Sequence, residues 1–294
     1  MENSVIFFWS DHGGNLLRQK RAVGNSGLHV PLIIRYPDGY RAGETESRMV
    51  SLMDLGPTVM SLIGINPPDY MDGKAFAGPF EEAQRDYIYG SADRFDESTD
   101  MQRSVLDGRY VYIKNFMPEL PLIYRNRYRE QIPMNKHLIE LDAEGKLEGD
   151  AAYIFMKTKP QEELYDLKND PYEVHNLAND PAHAEKLKFL RSLLSQWQAS
   201  IKDRGFTTEN EIIREFWPGM IQPVTADVKI QQQNNTIVLS CATEGASIAY
   251  QLSDAIGTDY WQLYSKPLLL QPQEKISTRA IRIGYKASNI TFKN

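Results

Sequence analysis

The sequence has a single cysteine, no apolar run long enough to cross a bilayer and no basic tract interleaved with aromatic residues. One cysteine, Cys241, excludes an intrachain disulfide and a cysteine-rich zinc site. The longest apolar run near the start is Val5–Trp9, whereas a membrane-spanning helix needs about 20 apolar residues. Lys and Arg number 33 against 39 Asp and Glu, so the formal net charge is −6. We therefore expect neither a membrane span nor a nucleic-acid partner.

The composition does supply material for a folded core. Of the 294 residues, 41% are hydrophobic, 11% are aromatic and 24% are charged, which is typical of a globular chain with one large domain or two ordinary ones. The first residues carry no basic segment followed by an apolar one, so we expect no secretory signal within this sequence.

Short apolar runs and one amphipathic pattern organise the first third of the chain. Val5–Trp9 and the run from Val30 to Pro37 predict strands buried on both faces, and hence a sheet covered by helices. Residues 52–63 predict an amphipathic helix that packs on this sheet. Its apolar positions are Leu52, Leu55, Val59 and Leu62.

The remainder reads as an antiparallel region, a closing helix and a β module. Asp107 and Gly108 predict the turn of a hairpin, and Asp180 followed by Pro181 predicts the start of a helix. The apolar face of that helix comprises Leu187, Leu190, Leu194, Trp197 and Ile201. Residues 223–294 then alternate in short β-type runs, which predict a small sandwich module.

A polar motif directly follows the first predicted strand. Ser10–Gly13 reads S-D-H-G and places Asp11 and His12 at the carboxyl end of a strand, where ligand sites gather in open α/β sheets. Lys20 follows, and then the segment Ser26–Ile33, which ends in V-P-L-I. This arrangement resembles the sulfatase family of the alkaline phosphatase superfamily, whose members carry an S-D-[HN]-G step, a lysine at this distance and a V-P-L-[IV] strand.

Further motifs extend the resemblance over roughly residues 5–200. Residues 54–59 are similar to the family's D-L-x-P-T helix, and residues 162–167 to its E-E-L-Y-D-L run. D-P-x-E and N-L-A steps follow within residues 170–178. The β module resembles the fibronectin-like modules that end chitobiase (hexosaminidase-type) and related glycan-acting enzymes.

The resemblance implies an α/β fold with a defined division. Residues 1–85 would be the C-terminal portion of an alkaline-phosphatase-like sheet, and residues 86–205 an antiparallel α+β subdomain with its closing helix. Residues 206–222 would be a linker, and residues 223–294 a fibronectin-like β-sandwich.

The same resemblance implies an incomplete enzyme. Sulfatases hydrolyse sulfate esters with a formylglycine made from a C/S-x-P-S-R motif, and this sequence has no such motif. We therefore expect the C-terminal part of a sulfatase that desulfates a carbohydrate such as a glycosaminoglycan, inactive without the N-terminal half of the catalytic domain. By family, the parent is expected in the periplasm or secreted.

The resemblance also assigns site residues. Asp11 and His12 would bind a divalent metal, with calcium the first choice because it favours hard oxygen donors, although the His12 nitrogen suits zinc or manganese better. Lys20 would contact a sulfate oxygen as the catalytic cation. Arg94 and Arg103 would bind an anionic sugar by bidentate hydrogen bonds. The alternative for these arginines is ion pairing with the neighbouring Asp93 and Asp96.

Two other functions stay open on sequence alone. Phosphodiesterases and nucleotide pyrophosphatases of the same superfamily also use an S-D-H-G step, with two zinc ions and a Thr or Ser nucleophile, but they lack the Lys20 spacing and the E-L-Y-D-L run. A non-catalytic binding module or pseudoenzyme is the other alternative. An upstream C/S-x-P-S-R motif would favour the sulfatase, and an upstream catalytic Thr the phosphodiesterase.

Overall fold

A computed structural model describes residues 3–95 and 97–293 of the chain. The fold divides into two compact units, Met1–Gly205 and Phe206–Asn294. Each unit has hydrophobic core residues of its own. The division of the first unit at residue 85 stays a prediction.

The first unit opens with a two-stranded antiparallel ribbon of β1 (Ile6–Trp9) and β2 (Leu32–Arg35). Both strands were predicted, but the prediction that they are buried on both faces is wrong. Phe8 pairs with Ile33 in the ribbon, and these side chains are 63% and 61% exposed. Because directly opposed residues share a face, one face of the ribbon presents apolar side chains to solvent.

This region contains two short helices. Helix α1 (Asn25–Leu28) lies between β1 and β2, and helix α2 (Leu55–Leu62) follows β2. The predicted helix at 52–63 is confirmed, with its first turn formed as a 3-10 helix over Leu52–Asp54. Its predicted apolar face is wrong, because Leu52 and Val59 are 40% and 46% exposed, whereas α2 buries Pro57, Thr58 and Ser61. Asp54 is 2% exposed and accepts hydrogen bonds from the backbone N–H groups of Ser51 and Lys74 and from the Arg85 guanidinium. This carboxylate fixes the start of α2 to the loop that follows it.

A four-stranded antiparallel sheet forms the body of the first unit, in the order β3-β4-β5-β6. Its strands are β3 (Ile88–Phe95), β4 (Ser98–Leu106), β5 (Tyr110–Asn115) and β6 (Glu162–Asp166). The predicted hairpin joins β4 to β5, and the Asp107 N–H donates to the Tyr110 carbonyl across the turn. Asp107 and Tyr110 thus close the turn, and its two central residues are Gly108 and Arg109, not Asp107 and Gly108 as predicted. Gly108 has φ +87°, a left-handed conformation that favours glycine.

Three helices complete this unit: α3 (Pro133–Ala143), α4 (Gly149–Tyr153) and α5 (Ala184–Ser200). The predicted closing helix is α5, preceded by a 3-10 turn at Pro181–His183 that Asp180 caps by accepting from the Ala182 N–H. Its buried side chains Leu187, Leu190 and Leu194 form one core cluster with Val105, Tyr112 and Leu164. Ile201 lies beyond the helix and is 49% exposed, contrary to its predicted place on the apolar face.

The second unit is a helix followed by two antiparallel sheets. Helix α6 (Glu209–Phe216) occupies the stretch predicted as a linker, and a capping box between Thr208 and Glu211 stabilises its start. The strands are β7 (Lys229–Gln233), β8 (Thr236–Ser240), β9 (Ser247–Leu252), β10 (Gln262–Leu263), β11 (Leu268–Leu269), β12 (Ile276–Ile281) and β13 (Thr291–Lys293).

These strands form sheets in the orders β11-β8-β7 and β10-β9-β12-β13. Ile237 and Leu239 from the first sheet share one core cluster with Tyr250 and Ile276 from the second. Two sheets around one core make a sandwich, as the alternating sequence predicts. Its likeness to fibronectin-type modules stays a prediction.

Deleting residues 206–294 should leave the first unit folded, because the core clusters of that unit contain only residues from before this deletion. We expect the thermal unfolding midpoint of the remaining chain to lie within a few degrees of the first transition of the whole chain. The measurement is circular dichroism of both chains on heating. Loss of the folded signal in the shortened chain would contradict the assigned boundary.

Candidate active site

The loop between β1 and β2 holds the candidate catalytic and metal-binding residues in a fixed backbone. The Gly13 N–H donates to the Gly27 carbonyl, and the Lys20 N–H donates to the Gly14 carbonyl, both at 3.0 Å. A Cβ atom at Gly13 would lie 2.2 Å from the Ser26 carbonyl oxygen, so only glycine fits there without a shift. The backbone of Lys20 is thereby bonded close to the Asp11 and His12 turn.

Asp11 and His12 present two adjacent acceptor atoms. The His12 Nδ1 lies 2.6 Å from the Gly13 carbonyl oxygen, which can only accept, so Nδ1 carries the proton. The Nε2 atom lies 3.5 Å from Oδ2 of Asp11, whose carboxylate is 81% exposed, and in the neutral form of the ring this nitrogen can bind a cation. A neutral imidazole nitrogen beside a carboxylate is a donor set that suits a divalent cation.

The metal site is incomplete within the described part of the chain. No group of three or more His, Cys, Asp or Glu side chains suited to a metal occurs among the described residues. Because calcium takes about 6 to 8 oxygen ligands, Asp11 and His12 can fill only part of its coordination sphere.

Lys20 lines a cavity in the first unit, and its ammonium group forms no ion pair with a described side chain. Its Nζ lies 5.6 Å from the centre of the Tyr128 ring, and no carboxylate of the described residues pairs with it. The flanking residues Arg18 and Arg21 have φ angles of +64° and +75°, a conformation that L side chains rarely adopt. Such backbone strain clusters at functional sites, where surrounding structure imposes it.

The guanidinium of Arg103 is hydrogen-bonded to two carboxylates within the first unit. Its side chain is 2% exposed, and its guanidinium bonds to both carboxylate oxygens of Asp93 and of Asp203 at 2.8 to 3.1 Å. Its fifth N–H donates to the Gln102 carbonyl. No donor is left for a sugar, so the ion-pair alternative describes this arginine and we leave Arg103 out of the proposed site.

Arg94 is exposed on β3 and lies outside the lining of the cavity that contains Lys20. The structure therefore does not bring Arg94 together with Lys20. Asp96, its suggested acidic neighbour, lies outside the described residues.

Sequence reasoning missed Arg129, which lines the same cavity as Lys20. Arg129 is 6% exposed and begins a 3-10 helix over Arg129–Gln131. Burial, and after it the nearby Arg21 charge, lowers the pKa of the Arg129 guanidinium below its ordinary value. No motif in the sequence indicates that Arg129 lines this cavity, because the lining residues come from segments that are distant in sequence.

The other family motifs serve the fold. Glu173 is 1% exposed and accepts from the Asn25 backbone N–H at 2.8 Å, which ties the D-P-x-E step to the loop after Lys20. Asn176 bonds to the backbone of β6 through both its oxygen and its amide nitrogen. Both side chains bind backbone groups of other segments, so these motifs stabilise the fold.

Comparison with known proteins shows which proteins this arrangement is similar to. The sequence model of the Sulfatase family matches residues 1–65, which contain Asp11, His12 and Lys20. An ulvan-active sulfatase of Formosa agariphila is 42% identical over 98% of this chain and 49% of its own length. The chain is homologous to sulfatases. A second ulvan-active sulfatase of that organism is 30% identical over 67% of this chain and 38% of its own length.

A solved structure supports the fold. A 2-O GAG sulfatase matches with a TM-score of 0.51 at 22% identity, covering 71% of this chain and 39% of that chain. At this identity the likeness concerns the fold alone. The chain spans about half the length of the curated sulfatase it matches over 98% of its residues.

Proposed function

We propose that this chain is the C-terminal part of a sulfatase whose complete form removes sulfate from a carbohydrate. One observation carries the proposal: Lys20, a cation without a carboxylate partner in the described structure, donates its backbone N–H to the carbonyl of Gly14, two residues after the Asp11 and His12 pair. The relatives named as ulvan-active sulfatases support a sulfated polysaccharide as the substrate class.

The chemistry of these residues fits sulfate transfer. Cleavage of a sulfate monoester places charge on the sulfuryl oxygens, and a fixed ammonium group in a sheltered cavity stabilises that charge. A divalent cation, when bound, would supply Lewis-acid stabilisation of the same oxygens. Asp11 and His12 would hold this cation from one side, and calcium remains the first choice.

The exposed apolar face of the β1–β2 ribbon is consistent with a catalytic domain of which this chain forms only one part. Phe8 and Ile33 would be covered by the N-terminal half of the sulfatase, since apolar strands of an α/β sheet are normally buried. We propose that half as the partner of this face.

A location outside the cytoplasm is part of the proposal, by analogy with sulfatases that degrade external glycans. The described residues form no helix with the length and apolar character that a membrane span requires.

The activity test compares this 294-residue chain with one extended to the length of its sulfatase relatives. With an aryl sulfate and added calcium, manganese or zinc, the 294-residue chain should show no turnover, because its sequence contains no formylglycine motif. The extended chain should hydrolyse the aryl sulfate and leave an aryl phosphodiester largely uncleaved. Metal-dependent turnover by the 294-residue chain, or preference for the phosphodiester, would overturn the proposal.

Replacing Asp11 by asparagine tests the metal assignment in the extended chain. The neutral amide keeps the shape of the side chain but loses its charge, so the metal concentration for half-maximal activity should rise by about tenfold or more. The exposed Asp38 changed to asparagine is the matched control and should leave this concentration unchanged. An unaltered metal requirement in the Asp11 variant would remove Asp11 from the site.

A further inference from the structure

A second cation in the cavity, Arg129, pairs with no acidic side chain of the described residues. The Arg129 guanidinium donates one hydrogen bond, from Nη2 to the backbone carbonyl of Tyr124. No carboxylate of the described residues forms an ion pair with it, although the side chain is almost completely buried. A buried cation without a carboxylate leaves hydrogen-bonding capacity for an anion that enters from solvent.

Two sets of contacts hold Arg129 close to the catalytic loop. Asn135 on α3 is fully buried, and its amide nitrogen donates to the carbonyls of both Asn15 and Arg129, at 3.2 and 3.1 Å. Tyr128, the residue before Arg129, places its ring beneath the Lys20 ammonium. Lys20 and Arg129 both line this one cavity.

The acidic side chains of this cavity are bonded to its walls. Asp93 pairs with Arg103, and Asp100 pairs with Lys159 at 2.8 Å. Glu163 accepts from the Asn115 amide and the Tyr165 hydroxyl, at 2.7 and 2.6 Å.

Glu173, the fourth carboxylate of the lining, accepts from the Asn25 N–H. Arg18 donates to the backbone carbonyls of Tyr172 and Glu173, and its charge acts on the Glu173 carboxylate. The lining carboxylates thus have partners other than Lys20 and Arg129.

We infer that Arg129 binds a second anionic group of the sugar substrate, a carboxylate or a further sulfate, while Lys20 faces the sulfate that is cleaved. The inference rests on the proposed function and deepens it, because it makes Arg129 a specificity-determining residue for polyanionic carbohydrate. A planar guanidinium offers paired donors to either oxyanion.

Direct binding tests this without catalysis. Isothermal titration of the 294-residue chain with glucuronate, and separately with inorganic sulfate, measures the affinity for each oxyanion and distinguishes the two sources. Arg129→Met should weaken binding of the preferred anion by about tenfold or more. Arg127→Met, which removes an exposed arginine from the same loop, is the matched control and should bind as the parent does.

Arg129→Lys separates charge from packing, since it keeps the cation and shortens its reach. It should retain more affinity than Arg129→Met. Equal losses in both variants, an unchanged affinity in Arg129→Met, or no binding of either anion by the parent chain would overturn the inference.

The extended chain distinguishes this failure from failure of the proposed function. There, Arg129→Met should raise KM for a sugar carrying two anionic groups and leave KM for a simple aryl sulfate nearly unchanged. If the extended chain is an active sulfatase but Arg129→Met changes KM equally for both substrates, the role of Arg129 would be overturned and the proposed function would stand. Absence of sulfatase activity together with Arg129-dependent anion binding would overturn the proposed function alone.

Discussion

Replacing Arg103 by methionine should destabilise the first unit by about 3 to 5 kcal/mol, the range for removing one partner of a buried ion pair. The guanidinium lies between Asp93 and Asp203, and the Asp203 side chain is only 8% exposed. Methionine fills part of the volume but leaves these carboxylates without their cation. Urea unfolding followed by circular dichroism measures the loss.

The stability lost in Arg103→Met should become smaller as the pH falls. Hydrogen bonding from Arg103 holds the pKa of Asp203 well below its ordinary value of 3.8. A carboxyl group with a lowered pKa stabilises the fold above its unfolded-state pKa, and this stabilisation is lost as the pH falls through the folded-state value. The difference in unfolding free energy between parent and variant should therefore narrow as the pH falls below about 4.

Two further variants check the origin of the effect. Arg103→Met combined with Asp203→Asn should regain part of the stability, because it removes the buried charge that methionine leaves unpaired. Arg127→Met removes an exposed arginine from a loop of the first unit and should change stability by about 0.5 kcal/mol or less. A loss in Arg103→Met as small as that in Arg127→Met would show that the buried pairs contribute little.

Replacing Lys20 by alanine should lower turnover of a sulfate ester by roughly 10²-fold or more in a chain extended to the length of the sulfatase relatives. This loss of turnover is expected because the substitution removes one fixed positive group that stabilises the charge developing on the sulfuryl group. Since Lys20 Nζ pairs with no carboxylate of the described structure, the fold should be maintained. Steady-state kinetics give kcat and KM, and circular dichroism verifies folding.

Matched substitutions make the Lys20 result specific. Lys20→Arg keeps the charge and should retain more activity than the alanine variant. Lys136→Ala removes an exposed lysine from α3 and should leave kcat unchanged. Near-parent turnover in Lys20→Ala would remove Lys20 from the catalytic site.

Local patterns in the sequence predicted most elements of the fold because short-range rules govern them. The strand before the S-D-H-G step, the helix at 52–63, the hairpin near Gly108 and helix α5 all form. Helix α6 was missed in the stretch assigned to a linker, although Thr208 and Glu211 form a capping box there. Strand burial was also wrong, because the apolar content of a strand does not establish that another layer covers it.

The sequence by itself predicted the likeness to sulfatases, through ordered motifs, and it placed Asp11, His12 and Lys20 in one segment, which the Sulfatase family model also matches. Only the tertiary structure decided which arginines are available to a ligand. Arg103 is neutralised by Asp203, which is distant in sequence, whereas Arg129 reaches the Lys20 cavity with no such carboxylate in the described structure. The charge that an ionisable side chain presents to a ligand depends on its neighbours in space, and these long-range pairings arise only when the chain folds.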